Sequence, residues 1–100
     1  MTNNAEITSY RSKLRDHFPD FVRRYRVASL SLFGSRVRGD NRADSDLDIL
    51  AQFRETPSLF TLLRLENELS DMLGLRVDLV MEDSLRPTIA QRILSELVPI

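Results

Sequence analysis

Leu32 to Leu50, LFGSRVRGDNRADSDLDIL, is the stretch whose reading decides the fold. It closes an apolar run, Val27-Ala28-Ser29-Leu30-Ser31-Leu32-Phe33, that alternates well enough for a half-buried strand. Gly34-Ser35 then suits a tight turn with exposed backbone N–H groups. A polar segment leads to Ser45-Asp46-Leu47-Asp48-Ile49-Leu50, where strand geometry puts Asp46 and Asp48 on one face and Leu47 and Ile49 on the other. Two neighbouring carboxylates repel, and a hard divalent cation such as Mg2+, which takes oxygen ligands, removes that repulsion. The turn is complementary in charge. Gly34 allows close backbone approach to an anion, Ser35 offers a hydroxyl and an N–H, and a helical turn over Arg36 to Gly39 would add a favourable field.

Gly34-Ser35, ten residues and then Asp46-Leu47-Asp48 resemble the signature of the DNA polymerase beta-like nucleotidyltransferases. The finer pattern is similar to the minimal nucleotidyltransferase (MNT) branch, typically the antitoxin partners of HEPN-domain toxins. The similarity runs from about Leu30 to the C-terminus, taking in Val77-Asp78-Leu79-Val80, Leu85-Arg86-Pro87, Ile89, Ile93 and Glu96. It leaves roughly the first 25 residues uncovered. Val37, where alanine is expected, bears on base fit and not on the catalytic groups.

The resemblance implies a mechanism. Asp46 and Asp48 bind two Mg2+ ions, which in such sites lie about 3.5–4 Å apart. One ion holds the triphosphate of ATP seated on Gly34 and Ser35; the other, bound also by Asp78, activates an acceptor hydroxyl. The product is an adenylylated hydroxyl, in this family a tyrosine of the HEPN toxin. A binding-only antitoxin with a relic nucleotide site is the alternative. Ser45 either contributes to the nucleotide site or only caps the turn presenting Asp46. Arg36 and Arg38 either reach the triphosphate or pair with the acidic loop, and Asp40 and Asp44 are turn residues. Asp78, between Val77 and Leu79, could instead pair with Arg76 or Arg54.

The chain of 100 residues reads as one domain, residues 1–100, with a helical segment over 1–25 and a catalytic core over 27–100. The 42% hydrophobic and 29% charged residues fit a globular protein with one modest core. A net charge of -1 argues against bulk nucleic-acid binding. Thirteen of the fourteen basic residues are arginine, which suits bidentate ion pairs on solvated faces or at an interface. Without cysteine there are neither disulfides nor thiolate metal sites. With no apolar leader or membrane-length run, a cytoplasmic protein is expected.

Spacings of three and four among Ile7, Tyr10, Leu14, Phe18, Phe21, Val22 and Tyr25 predict an amphipathic helix that Pro19 breaks or kinks. His17, beside that break, reads as an exposed or end-capping residue. A strand over Asp46 to Phe53 precedes a helix with Thr56 as N-cap and Pro57 first. Its apolar stripe is Leu59, Leu62, Leu63, Glu66, Leu69 and Leu73, stopped by Gly74. A third strand spans Arg76 to Met81; Asp83 or Ser84 then caps a helix burying Ile89, Ile93, Leu94 and Leu97. The single-helix connection makes the second and third strands parallel, so that Asp46, Asp48 and Asp78 share an edge. Gly34-Ser35 meets them if the first strand runs antiparallel to the second. The expected architecture is α+β (mixed α/β), a small mixed sheet with helices packed on it. The last helix lies close to Ile100, so the acceptor is expected to come from another molecule. The N-terminal helix or Leu97-Val98-Pro99-Ile100 would give docking area, in a homo-oligomer or a hetero-oligomer with the toxin.

Overall fold

The computed structural model describes residues 4–100; the first three residues of the expected N-terminal helical segment lie outside it. Helix α1 (Asn4–Tyr25) leads to strand β1 (Val27–Phe33), a single helical turn α2 (Ser35–Arg38) and β2 (Leu47–Phe53). Helix α3 (Leu59–Leu73), β3 (Val77–Met81), a 3-10 turn (Glu82–Ser84), α4 (Pro87–Ser95) and the short β4 (Val98–Pro99) follow. The sheet order is β3-β2-β1-β4. β1 is antiparallel to both β2 and β4, and β2 is parallel to β3, as the helical crossover requires.

One sheet face carries Val27, Leu30, Leu32, Leu47, Ile49, Ala51, Val77 and Leu79 into a core shared with Leu14, Phe21 and Tyr25 of α1 and Leu65, Leu69 and Leu73 of α3. A register shift between Val27 and Ser29 lets Val27 and Leu30, three apart, both be buried. Leu47 and Ile49 are fully buried while Asp46 and Asp48 are only half-buried, so the alternation predicted for this strand holds. β2 begins at Leu47, which places Asp46 just ahead of it.

Several local expectations are corrected. Helix α1 runs through Pro19 without interruption. The missing proline N–H and the ring clash cost about 3 kcal/mol, but Leu14, Phe21 and Tyr25 on either side are buried in one core and hold the helix together. His17 therefore lies within a helix, exposed, its Nδ1 donating to the Lys13 carbonyl at 3.0 Å. The cap of α3 is Ser58, whose hydroxyl accepts from the Thr61 N–H, and not Thr56. The buried stripe of α3 is Leu65, Leu69 and Leu73, with Leu62 partly buried, while Leu59 and Leu63 are exposed. Helix α4 has Arg86 as N-cap, Pro87 in its first turn and no side-chain cap, since Glu82–Ser84 forms a separate turn. None of its residues is buried, and Ile89 and Leu94 are about half exposed (49% and 45%). Val98, expected to be free for docking, pairs in β4 with Leu32 of β1, and Ile100 packs against the core.

The register of α3 is directly testable. Leu69→Ala should destabilise by about 2–5 kcal/mol, as a fully buried leucine does on truncation. Leu63→Ala, at an exposed position, should change stability by less than about 1 kcal/mol. Urea unfolding of the two variants checks both, and equal losses would contradict the observed stripe.

Candidate active site

β1 ends in a turn that only glycine can make here. Gly34 has φ 86° and ψ -161°, and a Cβ added to it would lie 1.9 Å from Asp48 Oδ2. The peptide at Gly34 is thus pressed against the Asp48 carboxylate, which Phe33↔Asp48 pairing across β1 and β2 brings alongside. Immediately after, the Val37 and Arg38 N–H groups donate to the Gly34 carbonyl, and Gly39 (φ 88°) ends the turn. Ser35 is half-buried beside them.

Asp48 is opposite Asp78 in the parallel β2–β3 register, so the expectation of shared position is met at residue level. Burial first, then the Asp78 and Asp46 carboxylates, push the Asp48 carboxyl up to about 6, against a smaller opposing pull from Arg38. Asp78 is likewise pushed upward, by burial and by Glu66 and Asp46. Glu66 is held near by accepting the Leu79 N–H at 2.9 Å. Asp78 forms no ion pair with Arg76 or Arg54 among the described residues. Asp46 and Asp78 both act on Asp48, yet among the described residues no three such side chains are gathered closely enough to grip a metal ion.

The loop between α2 and β2 is organised by two residues of the quoted stretch. Ser45 Oγ accepts the Arg42 N–H at 2.8 Å, and the Ser45 N–H donates to the Arg42 carbonyl, a closed turn ahead of Asp46. Arg36, its side chain only 10% exposed, donates to the carbonyls of Ser45 (2.9 Å) and Ala43 (3.2 Å). Ser45 thus caps the turn, and Arg36 clamps the loop that presents Asp46. Arg38 pairs with Asp40 at 3.2 Å and with Glu96 at 3.1 Å.

Glu96 is the residue with a part in this site that sequence reasoning left without a role. Its Oε1 accepts the Gly34 N–H at 3.2 Å, from the C-terminal end of α4. Phe33, Gly34, Asp48, Ile89, Ile93 and Glu96 are among the residues round a cavity of about 280 Å3. The site therefore lies away from the α1/α3 core, with one apolar wall from α4. It offers oxygen donors beside a backbone anion seat.

Residues 12–100 match the nucleotidyltransferase domain family, and the chain belongs to that family. The fold is that of the minimal nucleotidyltransferases. A solved structure of a candidate minimal nucleotidyltransferase is 33% identical, superposes with a TM-score of 0.75, and is covered over 97% of its length by all of this chain. The protein adenylyltransferase MntA of Thermococcus cleftensis is 45% identical over 92 residues, 92% of this chain and 86% of that protein. A crystal structure of a toxin–antitoxin with AMP-PNP is 26% identical, with a TM-score of 0.67 over 97% of this chain and 71% of that one.

Proposed function

We propose that this nucleotidyltransferase transfers AMP from ATP to a hydroxyl of a HEPN-family toxin, a tyrosine by preference, and so acts as its antitoxin. The observation that carries the reading is the contact between Gly34 and Asp48, which joins an anion seat to a carboxylate pair. The similarity to an MntA adenylyltransferase and to a toxin–antitoxin solved with AMP-PNP supports the choice of nucleotide and partner. The residues 27–100 supply all the groups invoked, α1 completing their core, which supports one catalytic unit. With no helix among the described residues long and apolar enough to cross a membrane, a cytoplasmic toxin–antitoxin pair is the setting that fits.

In this reading Gly34 and Ser35 seat the triphosphate. Asp46, Asp48 and Asp78 would hold Mg2+, two ions with the nucleotide in place. The donor chemistry suits such ions, all hard oxygens, with the Asp48 carboxyl pushed up to about 6 by burial first and then by Asp78 and Asp46; the three side chains would have to draw together on an ion. Such ions would neutralise charge on the phosphates and lower the pKa of the acceptor hydroxyl. The chain's own groups do the rest. The seat aligns the α-phosphorus with the acceptor hydroxyl oxygen. That oxygen forms the new P–O bond as the bond to the β-phosphate oxygen breaks. Pyrophosphate leaves, and Asp78 takes the hydroxyl proton. Arg36 and Ser45 act on the nucleotide site indirectly, by fixing the loop before Asp46.

Incubation of the purified protein with its HEPN partner, ATP and Mg2+ tests the reading. The partner should gain AMP, detected by mass, and an unmodified partner would refute it. A stability result should accompany it. Asp48→Asn removes a charge crowded by two others, so the metal-free variant should melt above the native protein. Mg2+ should raise the melting temperature of the native chain and do so much less in the variant. A native melting temperature indifferent to Mg2+, with and without ATP, would speak against the metal site.

A further inference from the structure

The donors that would receive the triphosphate already hold an anion, and it belongs to the chain itself. Glu96 Oε1 accepts the Gly34 N–H at 3.2 Å. Arg38 Nη1 donates to both Glu96 oxygens, at 3.1 and 3.3 Å. The Glu96 side chain is only 19% exposed and sits on the cavity that also takes in Ser35 and Asp48. A backbone N–H in a glycine turn and a guanidinium are the donors a phosphate group uses. A carboxylate and a phosphate cannot both occupy them. Against its ion pair with Arg38, Glu96 adds to the negative charge around Asp48.

We propose that Glu96 is a built-in competitor for the triphosphate seat, which must leave Gly34 and Arg38 before the nucleotide can settle there. This deepens the reading above and rests on its placing of the triphosphate at Gly34 and Ser35. Displacement frees the Arg38 guanidinium for the incoming phosphate. It also couples seat occupancy to the end of α4, because Glu96 is the C-cap of that helix and Val98 follows in β4. Glu96 is thus a positioning residue that sets nucleotide affinity without touching the reacting atoms.

Calorimetric titration of the full chain with Mg-ATP, with inorganic tripolyphosphate and with adenosine tests this. Glu96→Gln keeps the size of the side chain and removes its charge. It should tighten Mg-ATP and tripolyphosphate by about two- to fivefold, the range expected for removing one partly buried ion pair of modest strength. Adenosine, which carries no phosphate, should bind unchanged. Equal or weaker binding of tripolyphosphate to Glu96→Gln would overturn the proposal and make Glu96 a structural prop for the Gly34 turn. Ser35→Ala separates the two levels. If it leaves tripolyphosphate binding intact, the seat itself is misplaced; if it weakens binding while Glu96→Gln has no effect, only the competitor role fails. Should Glu96→Gln not fold, hydrogen exchange in the native protein decides: tripolyphosphate should speed exchange of the Ser95 to Leu97 amides, and slowed exchange would contradict displacement.

Discussion

Gly34→Ala should abolish AMP transfer and measurably destabilise the protein. At φ 86° an L-residue is strained by roughly 1–2 kcal/mol whatever the space around it. Here there is no space, because the new methyl carbon would fall 1.9 Å from Asp48 Oδ2. Relief requires either the turn or the Asp48 side chain to move, and either movement separates the anion seat from the carboxylates. A displacement of about 1 Å at a reacting centre costs on the order of a hundredfold in rate. The expected result is a lower melting temperature together with loss of Mg-ATP binding and a fall in labelling of at least about a hundredfold. Gly74→Ala serves as the comparison: it too has positive φ (77°), but no atom lies within 4 Å of the added Cβ. It should lose stability and keep transfer. Transfer retained in Gly34→Ala would mean that the contact with Asp48 is not the heart of the site.

Asp78→Asn should remove transfer and leave nucleotide and partner binding largely intact. Asp78 lies on β3, one strand away from the Gly34 turn, whereas Asp48 touches it. Asparagine keeps the shape but loses the charge and cannot accept the hydroxyl proton. Loss of the group that serves the acceptor side should lower the rate by several powers of ten, each power being about 1.4 kcal/mol of transition-state stabilisation. Asp48→Asn should weaken both binding and transfer, since it adjoins seat and carboxylates alike. Equilibrium binding of Mg-ATP set beside single-turnover labelling separates the two patterns. An Asp78→Asn variant that transfers normally would remove Asp78 from the chemistry and leave the Asp46/Asp48 pair to carry it.

The parts of this arrangement that could be read beforehand are those in which chemistry and geometry point the same way. Gly34-Ser35 and Asp46-x-Asp48 combine turn, strand period and charge, and the parallel crossover through α3 then forces Asp78 opposite Asp48. Family membership followed from those residues, although the match reaches back to residue 12, well into α1. An amphipathic pattern such as Ile7 to Tyr25 is too generic to carry family information. The stripe of α3 is ambiguous in the sequence because Leu59, Leu62, Leu63, Leu65, Leu69 and Leu73 admit two overlapping helical faces. Only packing against β1–β3 selects Leu65, Leu69 and Leu73. Ile89 and Ile93 looked like core residues for a similar reason, and they instead line the cavity beside Asp48. The partners of Arg36 and Glu96 could not be read from the sequence, although Arg36 is named there as a candidate and Glu96 as part of the resemblance. The carbonyls that bind Arg36 and the N–H that binds Glu96 are backbone groups, which have no sequence signature.

Under the proposed function, neutralisation proceeds by AMP transfer and not by occupancy alone. The most direct measurement is survival of cells expressing the HEPN toxin together with either the native chain or Asp78→Asn, at matched levels and with complex formation verified. The native chain should rescue growth and the variant should not, while both still bind the toxin. Rescue by Asp78→Asn equal to that by the native chain would contradict the account and leave stoichiometric binding as the means of neutralisation.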